Sequence, residues 1–66
     1  MKNINHVSEK VRKAIYELVG NVQSTDLVSV MHEYHNGSIE VGLFDLNENL
    51  KAFVTVGHPE KGNFLS

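Results

Sequence analysis

The stretch DLVSVMHEYHNGSIEVGLFDL, from Asp26 to Leu46, decides the fold. Near its centre Asn36-Gly37 lies between two runs of strand-like residues. Asn-Gly readily takes the left-handed backbone angles of a two-residue type I′ turn, whose twist matches the strands on either side. A hairpin pivoted there opposes His35 to Ser38, Tyr34 to Ile39, Glu33 to Glu40, His32 to Val41, Val30 to Leu43 and Leu27 to Leu46. A second turn centred on Glu48-Asn49 brings back a third run, Leu50 to Gly57, and opposes Phe44 to Phe53 and Leu43 to Val54. Because side chains alternate along a strand, this pairing sorts the sheet into two faces. The inner face collects Val28, Val30, His32, Tyr34, Ile39, Val41, Leu43, Ala52, Val54 and Val56.

Upstream of this stretch, apolar residues recur at Val7, Val11, Ala14, Ile15, Leu18 and Val22, the spacing of one stripe along a helix. Asn3 or Asn5 can cap its start by accepting from the free N–H groups of the first turn, and Gly20-Asn21 can end it in the left-handed conformation that glycine tolerates. Glu9 and Lys13 stand i,i+4 on the solvent side, placed for a weak ion pair. The inner sheet face is the natural bed for the stripe. The predicted architecture is therefore α+β: an N-terminal helix packed on a three-stranded antiparallel β-meander, in two layers. Residues 1–66 form one small domain, with 59–66 as a C-terminal tail.

A chain of 66 residues builds a thin core, near the lower limit of independent stability. Without cysteine there is no disulfide, thiolate zinc site or cysteine nucleophile. A hydrophobic content of 41% with 21% charged residues belongs to a folded domain and argues against disorder. No apolar run reaches the length of a signal peptide or a membrane span, so a soluble, unprocessed, cytoplasmic protein is expected. The net charge of −2 is unevenly spread, with four cations against two acids in residues 1–20 and two against six in residues 21–66. A basic helix on an acidic sheet follows.

The outer sheet face divides into an apolar zone, Leu27, Met31, Phe44, Leu46 and Phe53, and a polar zone, Glu33, His35, Ser38 and Glu40. One helix shields only one side of a sheet, so the apolar zone forms an exposed patch of the kind that binds protein. Free outer strands also allow two copies to join edge to edge. In the alternative, Phe64 and Leu65 fold back over Phe44 and Phe53 and close the core within one chain.

His32-Glu33-Tyr34-His35 resembles a metal motif, but on a strand the i,i+3 spacing sends the two histidines to opposite faces. Glu33 and Glu40, expected to oppose each other with His35 on the same face, form a better candidate for a divalent ion or small ligand. Phe44 and Phe53 on an open sheet could stack the bases of single-stranded nucleic acid, although Lys51 is the only cation expected nearby and phosphate would be repelled. No nucleophile, base and carboxylate assemble into a catalytic set. These residues point to a small non-catalytic protein-binding or inhibitor-type module without a cofactor. It would act through its open face or an edge strand, as a homodimer, with Leu27, Met31, Phe44, Leu46, Phe53, Glu33, Glu40 and His35 at the interface.

Overall fold

The computed structural model describes residues 1–57; the tail, with the proposed return of Phe64 and Leu65, lies outside the described residues. A short strand β1 (Lys2–Asn3) leads through a 3-10 turn (Ile4–His6) into helix α1 (Glu9–Leu18), followed by β2 (Leu27–Glu33), β3 (Ile39–Phe44) and β4 (Leu50–Val56). The strands form one antiparallel sheet in the order β1-β2-β3-β4, so the expected meander is present with a small N-terminal strand added. The helical segment starts later than the apolar period suggests. Asn3 Oδ1 accepts from the Asn5 N–H at 2.8 Å and caps the 3-10 turn, while Val7 and Ser8 are extended. Polar side chains that bond their own backbone compete with helix in this way. The C-terminal end differs too: Val19 leaves the helix in an extended conformation, so Gly20 adopts no left-handed cap.

The hairpins correct the expected register. Tyr34 N–H donates to Ser38 O at 2.9 Å and Gly37 N–H to Tyr34 O at 3.0 Å, which encloses a three-residue loop, His35 to Gly37. Gly37 has φ of 90° and Asn36 is not left-handed, so the loop is a type I turn closed by a left-handed glycine rather than a type I′ turn. Asn36 works through its side chain, Oδ1 accepting from Ser38 N–H at 3.0 Å and Ser38 Oγ at 2.6 Å. The second loop, Leu46 to Glu48, repeats the design. Glu48 N–H donates to Asp45 O, Asp45 N–H donates to Asn49 O, and Glu48 takes the left-handed position with φ of 66°.

Two bulges complete the correction. Val30 pairs with Val41 and His32 with Glu40, leaving Met31 as an extra residue in β2. Everything beyond it changes face: Glu33 opposes the buried Ile39 on the helix side, and His32 and Tyr34 turn outward, their rings meeting edge to face at 4.5 Å. In β4, Ala52 pairs with Leu43 and Leu50 with Phe44, leaving Lys51 as the extra residue. From Ala52 onward the second hairpin is displaced from the expected pairing by two residues, so those faces are kept and the partners change, whereas Leu50 and Lys51, before the bulge, exchange faces. Phe53 lies opposite Gly42, and Leu50 takes the place opposite Phe44.

The core forms between α1 with the preceding turn and the inner face: Ile4, Val7, Val11 and Ile15 pack with Val28, Ile39, Val41, Leu43, Val54 and Val56. Leu18, at the helix end, is exposed despite its place in the stripe. Below the core, Asp26 is a buried carboxylate with 1% of its side chain exposed, and Lys51 Nζ reaches its Oδ2 at 2.6 Å. The same oxygen accepts from Gln23 N–H at 2.8 Å, Lys51 also donates to Asn21 O at 2.8 Å, and Asp26 O accepts from Ile4 N–H at 2.9 Å. The extra residue in β4 is therefore turned inward to meet its anion, as bulges commonly re-aim a side chain.

Removing one partner of such a pair leaves a buried charge uncompensated, at about 3–5 kcal/mol. Asp26→Ala is expected to lose stability of that size, which approaches the whole stability of a domain this small and shows as lost helical circular dichroism or a sharply lowered urea midpoint. Glu48→Gly should raise stability by up to about 1 kcal/mol, seen as a higher urea midpoint, because it relieves a left-handed non-glycine residue at some cost in unfolded-chain entropy. Asp45 Oδ1 accepts from Asn47 N–H and Asn49 N–H, each at 2.9 Å, and these bonds, with that from Asn49 foremost, hold its carboxyl below its ordinary pKa. A depressed folded-state pKa gives stability that is present above the unfolded value and lost as pH falls through the folded one. Asp45→Asn should remove that part of the acid sensitivity, as read from amide shifts of the loop in an NMR titration.

Candidate docking face

The outer face is built from alternate residues of β2, β3 and β4 and has no layer over it among the described residues. At its centre is Gly42. A Cβ placed there would meet Phe44 Cε1 at 2.8 Å, Phe44 Cζ at 3.1 Å and Met31 Cγ at 3.3 Å, so the phenyl ring of Phe44 lies over the glycine backbone with Met31 beside it. The missing side chain is what lets the ring lie flat on the sheet, and the ring in turn covers backbone that glycine leaves bare. Leu27 and Leu50 flank Phe44 on the neighbouring strands, and Phe53 stands opposite Gly42 on β4. Phe53 is 53% exposed and Leu50 and Met31 each 48%, a degree of solvent contact that large apolar side chains clustered together rarely keep without a purpose.

Five of the eight residues expected at the interface come together here or close by. Leu27, Met31, Phe44 and Phe53 form the apolar cluster, and Glu40 stands toward the other end, opposite His32 on β2 and Thr55 on β4. Leu46 is displaced into the second loop, where it is 65% exposed, and Leu50 fills its place. Glu33 has moved to the helix side and His35 lies in the first loop, so the expected cross-strand pair of Glu33 and Glu40 does not form. Among the described residues no group of three His, Asp or Glu side chains is arranged to hold a metal ion. Sequence reasoning missed Leu50, His32 and Tyr34. A type I turn favours Asp at its first position and Gly at its fourth, and reading Asp45 and Gly37 in those roles would have found all three.

The charge of the face also differs from expectation. Of the cations in residues 1–57, Lys10, Arg12 and Lys13 belong to the helix, Lys2 opposes Val28 on the helix side, and Lys51 is drawn inward to Asp26. The outer face therefore keeps Glu40, with Glu48 at the loop beyond its apolar end, and no cation from the described residues. Elsewhere a shallow groove runs between α1 and β4, lined by Lys10, Lys13, Ala14, Glu17, Thr55 and Val56, a mixed-charge cleft without histidine or cysteine. Glu9 and Lys13 stand 3.9 Å apart on the exposed helix surface, a pair of small energetic weight. No described helix is long and apolar enough to cross a membrane. Comparison with known protein families, with characterised proteins and with solved structures returned no match.

The contact of Phe44 with Gly42 is directly testable. Gly42→Ala should push the ring off the strand and cost about 1 kcal/mol, at the low end of overpacking because the ring can swing into open solvent. In the unaltered protein the Gly42 Hα resonances should be shifted upfield by the ring current, and Phe44→Leu should return them to ordinary values.

Proposed function

We propose that this chain is a non-catalytic protein-binding module whose working surface is the outer face of its sheet. The observation that carries the reading is the open cluster of Leu27, Met31, Phe44, Leu50 and Phe53 around Gly42, with a polar end formed by His32, Tyr34, Glu40 and Thr55. An apolar centre bounded by polar groups is the anatomy of a protein interface, in which desolvated aromatic contacts supply affinity and the rim sets orientation. Because the acids here have no cation beside them among the described residues, the fitting partner presents an apolar ridge flanked by lysine or arginine. The same charge argues against nucleic acid, since the cation expected beside Phe44 and Phe53 is bonded to Asp26 on the other side of the sheet. A metal or small-ligand role for Glu33, Glu40 and His35 gains no support, because the three lie on the helix side, the outer face and a loop.

An amphipathic leucine–lysine helical peptide serves as a probe, with its leucine–glutamate counterpart as control. The basic peptide is expected to bind in calorimetry and to shift the NMR signals of Phe44, Leu50 and Phe53, and Phe53→Asp should weaken it by about tenfold or more while leaving helical circular dichroism unchanged. Equal binding of the acidic peptide, or undiminished binding by Phe53→Asp, overturns the reading.

A further inference from the structure

The two edges of the sheet are unlike. At one edge β1 covers only Leu27 and Val28 of β2, and the remainder of that strand carries the Met31 bulge, His32 and Glu33, features that discourage another strand from pairing. At the other edge β4 runs seven residues, Leu50–Val56, without proline or acid, and its one charged side chain, Lys51, is turned inward to Asp26. Among the described residues no strand pairs with its outer side. The phase of the ladder shows which groups are left. Tyr34 bonds to Ser38 across the first loop, so the alternation places bonds between His32 and Glu40; a residue of β3 that bonds toward β2 turns its N–H and C=O away from β4. Glu40 and Thr55 therefore face each other without bonds, and the N–H and C=O of Thr55, and of Phe53 two residues earlier, point off the edge of the sheet.

We infer that β4 pairs with β4 of a second copy, antiparallel about a two-fold axis, to make one continuous eight-stranded sheet. A second copy is the occupant that the edges select. A strand whose single charge is turned inward can meet itself antiparallel without repulsion, and with only one inviting edge per copy the assembly closes at two instead of growing into a fibre. Packing two copies through the outer faces would instead set Glu40 and Glu48 against like charges. Edge pairing leaves both outer faces on the same side of the joined sheet, adjoining at Phe53, so it doubles the surface proposed above. It rests on that reading only for the purpose of the enlarged surface.

Sedimentation equilibrium on the full chain over a wide concentration range, with no peptide present, tests the pairing. Twice the 7.4 kDa chain mass is expected. Thr55→Lys, which puts a charge on the edge, should weaken the dimer by about tenfold or more, while His32→Lys on the protected edge should leave it intact, both variants keeping their circular dichroism. In the dimer the Phe53 and Thr55 amides should exchange slowly with solvent. A mass of one chain at every concentration overturns the inference, as does a dimer that Thr55→Lys leaves untouched. Failure here leaves the peptide result to stand or fall alone, because that experiment reads the face of a single copy.

Discussion

The lower end of the domain depends on one buried carboxylate. Asp26 gathers the ammonium group of Lys51 and the amide of Gln23 with its side chain, and its carbonyl takes the amide of Ile4. These bonds join four parts of the chain: the first turn, the link after the helix, the start of β2 and the far edge strand. A charge can be held in so small a core because each partner arrives with a fixed geometry. Lys51 can arrive only because β4 is bulged at that residue, so the irregularity of the strand and the satisfaction of the charge are a single feature. The same bulge takes a cation from the solvent side of the sheet and leaves that side acidic.

The layers of this fold are legible in the amino-acid sequence, and the register is not. The inner face of β3 and β4, Ile39, Val41, Leu43, Ala52, Val54 and Val56, follows from alternation alone, because a slip by an even number of residues preserves the face of every side chain. The far end of β2 obeys no such protection. One extra residue at Met31 exchanges the faces of His32, Glu33 and Tyr34, and with them the expected acidic pair disappears. Asn36-Gly37 marks the turn correctly but fits two loop lengths, in one of which the asparagine serves by its side chain and only glycine is left-handed. The helix start is obscured for a related reason: apolar spacing continues through Ile4 and Val7, while the Asn3 cap closes a 3-10 turn and Val7 and Ser8 are extended.

The outer face of the sheet shows how a small domain can keep an apolar surface without collapsing around it. Among the described residues the ten core side chains lie between the helical layer and the inner face, and the second face has a glycine at its centre rather than another branched residue. Phe44 lies across that glycine and so stays half-buried, held by its own strand. A surface of this kind is preformed, and any binding through it would lose less side-chain freedom than binding through a flexible loop.

The position of β1 carries a kinetic consequence. Three strands meet their neighbours through short loops that close at small entropic cost, whereas the pairing of Lys2 and Asn3 with Val28 and Leu27 closes a loop that contains the whole helix. Loop-closure entropy therefore favours joining this two-residue strand after the hairpins. Its departure would draw the Ile4 amide from Asp26 and the buried Ile4 side chain from the core, so opening at this end disturbs the inner layer and leaves the outer face of the sheet in place.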